Sequence, residues 1–287
     1  MKNILEKLSC CVVFFNKIGK TKIGKVYEEI TMKTIMNNPN WDNLGIIILA
    51  AGKGTRMKSD TAKVLHKLAR KSMITHVLEK SLKITDKHIY VVVGHQADQV
   101  KEEVNKFYKV NFAYQKQLLG TGDAVKAAIP MLDPAIRNVL VLCGDVPLIK
   151  EQTLQTLVDT HINGLSDITI LATTMENPKG YGRIICDKSR KLLCIREEAD
   201  ATIEEKKIQT INTGIYCFDK TLLTYALNEL SPENTQGEYY LTDVIEIAGK
   251  QNKTISVVTT KDSEQLIGVN TIEDLHKVEH LYLNSLL

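Results

Sequence analysis

The sequence predicts an α/β protein with a doubly wound, mostly parallel sheet, and three observations support this prediction. Apolar runs rich in β-branched residues recur, as in GIIILAA (Gly45–Ala51), HIYVVVG (His88–Gly94) and VLVLC (Val139–Cys143). Such runs are typical of strands that are buried on both faces. Each run closes on a glycine, and amphipathic stretches separate the runs. Strands that alternate with helices imply right-handed crossovers, which place the strands parallel in one sheet.

Helices fill the intervals between the first strands. In residues 72–83 (SMITHVLEKSLK), apolar residues from Met73 to Leu82 recur at helical spacing, which predicts a helix with one face on the sheet. The other elements that we expect in the first half are a helix at 96–107, a short strand at 110–114 and a helix at about 122–132.

The second half continues the alternation and adds a hairpin. Gly182–Asp187 and Lys191–Arg196 flank the turn sequence Lys188-Ser189-Arg190, which predicts two paired strands. The other predicted elements are helices at 151–163, 220–230, 242–250 and 272–287, and strands at 167–173, 214–218 and 254–259.

Composition limits the class of protein. A hydrophobic fraction of 44% and a charged fraction of 25% are typical of a globular protein. The net charge of +3 is too small to indicate nucleic acid or a membrane as a partner, and no apolar run is long enough to span a bilayer. None of the six cysteines forms a CxxC pair. We therefore expect free, buried thiols in a reducing compartment and a cytoplasmic location.

Residues 1–43 differ from the remainder of the chain. They hold seven lysines against four acidic residues and only a short apolar stretch at Cys10–Phe15. That pattern fits neither a secretory signal nor an Arg-rich transit peptide. We expect a poorly ordered N-terminal extension, or sequence upstream of a start at Met32 or Met36. One catalytic domain over residues 44–287 should follow it.

A glycine-rich loop, LAAGKGTRM at 49–57, follows the first strand. Gly52 and Gly54 allow the backbone to turn tightly and to present N–H groups to phosphate oxygens. Arg56 and Lys63 add positive charge that can offset a triphosphate. The loop is not a Walker A motif, and Met57 occupies the third glycine position of a dinucleotide fingerprint. The pattern predicts phosphate binding of another kind.

An acidic turn follows another buried strand. Asp145 comes directly after Val139–Cys143 and Gly144, at the sheet edge where open α/β folds bind ligands. Alone, such an aspartate equally fits a cap for the next segment. Beside a basic glycine-rich loop it becomes a candidate Mg²⁺ ligand, because Mg²⁺ takes one or two protein oxygens together with phosphates and waters.

Longer motifs resemble one family. In family order and spacing, the chain carries LGTG at 119–122, GDVPL at 144–148, GYGRI at 180–184, INTG at 211–214, QGEYYLTD at 236–243 and GVN at 268–270. From about Gly45 to Asn270 it therefore resembles the uridyltransferase domain of the bifunctional GlmU family. The resemblance implies a Rossmann-like fold of the nucleotide-diphospho-sugar transferase type, with the β-hairpin inserted over the sugar site.

The resemblance implies roles for the matching residues. Arg56 and Lys63 would act on the phosphates as catalytic cations, and Asp145 and Asn270 would hold Mg²⁺. The residues that would contact the nucleotide are Leu49, Ala50, Ala51, Gly52, Lys63, Gln115, Gly120 and Thr121, the last three at uracil. The residues that would bind N-acetylglucosamine are Gly182, Glu197 and Asn212. Without the family pattern, the two asparagines also fit turns, Gly182 a hairpin glycine and Glu197 a solvated charge.

The implied reaction is attack of N-acetylglucosamine 1-phosphate on the α-phosphorus of UTP. It yields UDP-N-acetylglucosamine, used in peptidoglycan and lipopolysaccharide synthesis, and pyrophosphate, with no covalent intermediate. Hexapeptide repeats do not follow Leu287, so we expect no acetyltransferase domain. The family trimerises largely through that domain, which leaves a homo-oligomer as a possibility to test.

The chain departs from the family pattern near the expected site. Ala62 replaces a proline, Leu118 a glutamine, Asp123 a histidine and Cys143 a tyrosine. Ala199 replaces a lysine between Glu197 and Asp200, which removes a cation beside the expected sugar phosphate. Two alternatives therefore stay open. One is a nucleotidyltransferase for another hexose 1-phosphate or another nucleotide, and the other is a weakly active homologue that binds nucleotide-sugars.

Overall fold

A computed structural model describes residues 41–286 of the chain. The predicted extension at 1–43 therefore falls almost entirely outside the described residues, together with Cys10 and Cys11. The compact unit that contains the sheet begins at Asp42. No helix among the described residues is long and apolar enough to cross a membrane.

A single large sheet organises this unit. Seven strands form its main path in the order β11-β7-β10-β6-β1-β4-β5, while β8 and β9 branch from β10. Four of the six neighbouring pairs on the path are parallel, which confirms the mostly parallel sheet. The strands are β1 Leu44–Ala50, β2 Lys67–Leu68, β3 Lys71–Ser72, β4 Ile89–Val93, β5 Asn111–Tyr114, β6 Asn138–Cys143, β7 Ile168–Thr174, β8 Arg183–Cys186, β9 Leu192–Arg196, β10 Thr210–Asp219 and β11 Ile255–Thr260.

Strand β10 departs from the regular pattern. It lies between β6 and β7 and runs antiparallel to both. It is longer than the predicted strand at 214–218, and its register with β7 shifts between Asn212 and Tyr216. Because such an irregularity bends a strand and redirects its side chains, the amino-terminal part of β10 can pair with β8 of the hairpin.

Seven α-helices in the described region cover the sheet and agree with the predicted ones to within a few residues. The largest difference follows α3, where Pro130 lies in a short 3₁₀ turn at Ile129–Met131 and cannot donate a helical hydrogen bond. The helices are α1 Met73–Ser81, α2 Ala97–Asn105, α3 Thr121–Ala128, α4 Glu151–Asn163, α5 Lys220–Asn228, α6 Asp243–Lys250 and α7 Ile272–Asn284.

The antiparallel pair β2 and β3 was not predicted from the sequence. Only Ala69 and Arg70 connect the two strands, and both have positive φ values, 46° and 74°. Two-residue hairpin turns need this conformation and usually draw it from glycine or asparagine, so an Ala-Arg turn carries no sequence signal. The pair places the buried Leu68 in a small core with Met57, Met73 and Val278 of α7.

Free thiols are confirmed for the cysteines that the structure describes, Cys143, Cys186, Cys194 and Cys217. The expected burial is correct for Cys217 and wrong for Cys186, which is exposed at the end of hairpin strand β8, and Cys143 and Cys194 are half-buried.

Candidate active site

A cleft of about 520 Å³ lies where β1 and β6 end, against the start of α3. All eight residues that the sequence named as nucleotide-binding line it, and Asp145 lies in its wall as well, whereas Arg56 and Asn270 do not line it. The cleft thus sits at the carboxyl ends of parallel strands, the position expected for a ligand in an open α/β sheet. The lining residues that had no predicted role include Lys53, Thr55, Val64, Leu118, Cys143 and Glu238.

The glycine-rich loop turns sharply after β1. Gly54 has a φ of 62°, and a Cβ atom there would lie 2.6 Å from the Cβ of Lys63. Only glycine allows both this backbone conformation and this close approach. Gly52 differs, because a Cβ atom placed on it would meet nothing within 4 Å. Gly54 therefore shapes the loop, whereas Gly52 leaves space at the cleft wall.

Two cations and two oxygens meet beside the loop. The Lys63 ammonium forms an ion pair with Asp145 Oδ2 and lies 3.2 Å from Asn270 Oδ1. Arg56 Nη2 donates to the same Asn270 oxygen at 2.9 Å. The structure thus brings together all four residues that the sequence named as catalytic cations or metal ligands, although Asn270 is distant in the chain from the other three.

The position of Asn270 is set by helix α7. Thr271 caps that helix in a capping box with Asp274, and the Asp274 carboxylate also accepts a hydrogen bond from the Asn270 backbone N–H at 3.0 Å. Val269 N donates to the backbone oxygen of Asp145 at 2.9 Å. Since a capping box orders the residues before a helix, these contacts hold Asn270 against the acidic turn after β6.

The donor chemistry fits a hard divalent cation. Asp145 contributes a carboxylate oxygen and Asn270 an amide oxygen, and both face one cation, here the ammonium of Lys63. Mg²⁺ prefers one or two protein oxygens and completes its shell with phosphates and waters. The described residues hold no cluster of three or more His, Cys, Asp or Glu side chains suited to a metal. Asp145 and Asn270 are the residues of this cleft region that could hold such a cation.

Another part of the cleft is built around Gln115. Its side chain is buried, and its Nε2 donates to Gly120 O at 3.1 Å and to Asp123 Oδ2 at 2.8 Å. The segment around Tyr239 braces this end, since Gly122 N donates to Tyr239 O at 2.8 Å. Thr121 Oγ1 accepts from Leu241 N at 3.1 Å. The motifs at 119–122 and 236–243 therefore form one unit.

Gly182, Glu197 and Asn212 form a second group that does not line this cleft. Asn212 N donates to Gly182 O at 2.8 Å, and a Cβ atom on Gly182 would lie 3.4 Å from Glu197 Oε2. Burial raises the pKa of Glu197, although the hydrogen bond from Thr242 to its carboxylate opposes the shift. Glu197 is therefore not a solvated surface charge.

Cys143 connects the two groups. Its thiol lines the cleft and donates to Gly214 O of β10 at 3.4 Å. Burial raises the pKa of this thiol to about 12, so the thiol is neutral at physiological pH. The small side chain at this point leaves the carboxyl end of β6 in direct contact with the irregular part of β10, which carries Asn212.

Three supporting residues were missed from the sequence. Thr242 contacts Glu197, Asp274 holds Asn270, and Asp123 contacts Gln115. Thr271 three positions before Asp274 is a recognisable capping signal and would have identified one of them. The Thr242–Glu197 contact joins residues 45 positions apart, and the Asp123–Gln115 contact forms only when the segment between them turns back. The linear pattern contains no signal for either contact.

The fold and the site together define a class, an α/β protein whose cleft combines a basic glycine-rich loop with an acidic turn at the end of a neighbouring strand. Residues 46–282 match the family model described as nucleotidyl transferase. The chain belongs to the nucleotidyl transferase family.

The chain is also similar to bifunctional GlmU proteins. It is 46% identical over 239 residues to the bifunctional protein GlmU of Clostridioides difficile strain 630, which covers 83% of this chain and 51% of that protein. The bifunctional protein GlmU of Geobacter metallireducens is 43% identical over 228 residues, covering 79% of this chain and 48% of the relative. The chain thus spans about half the length of the relatives that it matches.

Solved structures support the fold. A UDP-glucose pyrophosphorylase complexed with UDP-glucose superposes with a TM-score of 0.68 at 15% identity, covering 84% of this chain and 98% of that one. A putative glucose-1-phosphate thymidylyltransferase from Bacillus anthracis gives a TM-score of 0.65 at 21% identity, with coverages of 83% and 94%. At these identities the likeness concerns the fold alone, and it agrees with the Rossmann-like architecture expected from the sequence.

Proposed function

We propose that this chain transfers the uridylyl group of UTP to N-acetylglucosamine 1-phosphate, releasing pyrophosphate. The observation that carries the proposal is the convergence of Arg56, Lys63, Asp145 and Asn270 at one end of a cleft lined by all the predicted nucleotide residues. That arrangement has the charges that a triphosphate and a divalent metal require. The similarity to bifunctional GlmU proteins supports the choice of substrates.

The proposed chemistry needs no strong general base. The attacking oxygen belongs to a sugar phosphate, which is already anionic at neutral pH. The protein must therefore hold two anions together and stabilise the charge that develops on the leaving pyrophosphate. Lys63 and Arg56 are placed to do this at the phosphate end of the cleft. No covalent intermediate is required.

The metal that we propose is Mg²⁺, held by Asp145 and Asn270. When bound, it would supply positive charge to the phosphate oxygens. In the structure the Lys63 ammonium occupies the point that both oxygens face. We therefore expect Lys63 to turn from these oxygens toward the phosphates when substrate and metal bind together.

The sugar end of the proposed site lies at Gly182, Glu197 and Asn212. A Cβ atom on Gly182 would lie 3.0 Å from Ile195 Cγ2, a tight contact, and 3.4 Å from Glu197 Oε2, an ordinary one. Asn212 Nδ2 donates to Tyr216 OH at 2.6 Å. Asn212 Oδ1 accepts from Gly214 N at 3.3 Å, and the two contacts together fix the direction of the amide. Because an amide oxygen has two lone pairs, Oδ1 retains one for a sugar hydroxyl or acetamido N–H. The hairpin formed by β8 and β9 supplies one wall of this group.

Ala199 supports a second candidate. It is exposed next to the sugar-side group and places no cation there. A transferase for another hexose 1-phosphate, or a homologue that binds a nucleotide-sugar with little turnover, would tolerate this change. The chain's full set of phosphate-end residues favours an active enzyme over the binding protein.

A direct assay separates these functions. The protein is mixed with Mg²⁺, UTP and N-acetylglucosamine 1-phosphate, and pyrophosphate release is measured beside a panel of hexose 1-phosphates and nucleotides. We expect release with this pair and a loss of about a hundredfold or more in Lys63→Ala. Release only with another sugar would reject the acceptor, and UDP-sugar binding without any release would reject the enzyme.

A further inference from the structure

Asp123 lies on the first turn of α3 and contacts the residue at the base end of the cleft. Its Oδ2 accepts a hydrogen bond from Gln115 Nε2 at 2.8 Å, and Gly120 O accepts from the same nitrogen at 3.1 Å. The Gln115 side chain is only 4% exposed. Both hydrogens of its amide group therefore have partners within the protein.

These contacts fix which way the amide faces. A backbone carbonyl and a carboxylate are both acceptors, and a flipped amide would place its own oxygen against the two of them. The Asp123 contact is also charge-assisted, and such hydrogen bonds are about twice as strong as neutral ones. The amide oxygen of Gln115 is consequently the group left to meet a ligand in the cleft that Gln115 lines.

The neighbouring hydroxyl has the opposite character. Thr121 Oγ1 accepts from Leu241 N at 3.1 Å, so its hydrogen is the part that remains to be donated. An acceptor beside a donor complements the uracil edge, where N3–H stands between two carbonyl oxygens. Cytosine has a bare N3 at that point, and its lone pair would face the oxygen of Gln115.

We propose that Asp123 is a positioning residue that selects uracil over cytosine by holding the Gln115 amide oxygen toward the base. This inference rests on the proposed use of UTP. Asp123 occupies the position where the family pattern has histidine, so the proposed role concerns a residue in which this chain departs from that pattern. It acts through Gln115 and needs no contact with the nucleotide.

The test compares Asp123→Ala and Asp123→Asn with Lys126→Ala, an exposed position on the same helix. Binding of UTP and CTP is titrated by calorimetry with Mg²⁺ present, and kcat and KM are measured for both nucleotides. In Asp123→Ala we expect the preference for UTP to fall about tenfold, mainly through a higher KM for UTP. Asp123→Asn keeps an acceptor and should retain most of the preference, and Lys126→Ala should retain all of it.

The outcomes separate this inference from the proposed function. An unchanged UTP preference in folded Asp123→Ala, or an equal loss of kcat with both nucleotides, would overturn the positioning role while leaving the UTP-dependent reaction intact. If the wild-type protein binds neither nucleotide, or binds both equally, the proposed use of UTP itself is rejected, whatever the Asp123 variants do. If the alanine variant does not fold, Asp123→Ser provides the same comparison, because serine is tolerated in a first helical turn and is too short to reach Gln115.

Discussion

Arg56 Nη2 donates to Asn270 Oδ1 at 2.9 Å, joining residues 214 positions apart in the chain. The same oxygen lies 3.2 Å from Lys63 Nζ, so Asn270 is the acceptor shared by Arg56 and Lys63. Helix α7 supports Asn270 through its capping box. The last helix of the described chain thus completes a site that begins at the end of the first strand.

Replacing Asn270 should weaken the use of metal. In Asn270→Ala one of the two oxygens that face the cation is lost, and we expect the Mg²⁺ concentration for half-maximal activity to rise about tenfold. Titration of Mn²⁺ binding in the presence of UTP gives a readout that does not depend on turnover. Asn284→Ala, an exposed position at the end of α7, is the matched control. An unaltered metal requirement in Asn270→Ala would exclude this residue as a ligand.

The two loop glycines should respond differently to alanine. Gly52→Ala adds a methyl group where nothing lies within 4 Å, so the fold should keep its melting temperature while KM for UTP rises, by about tenfold if the methyl group blocks the nucleotide. Gly54→Ala forces a side chain into a φ of 62° and against Lys63 Cβ at 2.6 Å. We expect it to cost about 1–3 kcal/mol of the free energy of unfolding. Equal effects of the two substitutions on stability would contradict these separate roles.

Proline at position 62 should stabilise the fold. Ala62 has a φ of −51°, which a proline ring permits, and it precedes the short 3₁₀ turn of Lys63–Leu65. Proline reduces the freedom of the unfolded chain, so Ala62→Pro should add about 0.4–1 kcal/mol to the free energy of unfolding. Urea unfolding measures the change, with Ala62→Ser as the comparison. A loss of stability in Ala62→Pro would show that the native backbone does not accept the ring.

A lysine at position 199 tests the sugar end of the site. Ala199 is exposed between Glu197 and Asp200, and Ala199→Lys would restore a cation that can pair with a sugar phosphate. We expect KM for N-acetylglucosamine 1-phosphate to fall about threefold to tenfold, with little change in KM for UTP. Ile203→Lys adds the same charge at an exposed position nearby and should change neither constant. If both variants lower KM equally, general attraction rather than a specific contact is responsible.

Because His161 is buried, we expect the protein to lose stability in mild acid. Its ring is 1% exposed and lies 3.1 Å from Thr169 Oγ1 and 3.2 Å from Asn138 Oδ1. Burial lowers its pKa to about 4, although the carboxylates of Asp219 and Asp167 oppose the shift.

The unfolded chain therefore binds this proton at a higher pH than the folded chain does. The contribution of His161 to the free energy of unfolding should have its full value above pH 6.5. It should decrease by about 3 kcal/mol as pH falls from 6.5 to 4. His161→Gln should lose much of that pH dependence in urea unfolding at pH 7, 5.5 and 4.5, whereas His276→Gln, at an exposed position, should keep it. A wild-type free energy that rises with acidification over this interval would refute the assignment.

The sequence predicted the framework well because its signals are local. Apolar runs and helical periodicity depend on neighbouring residues, and β1, β4, β6 and the helices appear close to their predicted limits. The residues that the sequence motifs named for the nucleotide all line one cleft, and Arg56 and Asn270 contact Lys63 or one another beside it. Less predictable were the hairpin of β2 and β3, whose turn uses Ala69 and Arg70 in an unusual conformation, and the direction of β10.

By itself, the sequence determined the alternation of strands and helices and the glycine-rich loop after β1, since backbone preference and hydrophobic period act over short stretches. Only the tertiary structure decided that β10 inserts antiparallel between β6 and β7, that Asn270 meets Arg56, and that Gln115 turns its amide nitrogen to Asp123. These features depend on contacts between residues whose spacing in the chain carries no information about their distance in space. The packing of the sheet and the capping contacts of its helices determine these three features.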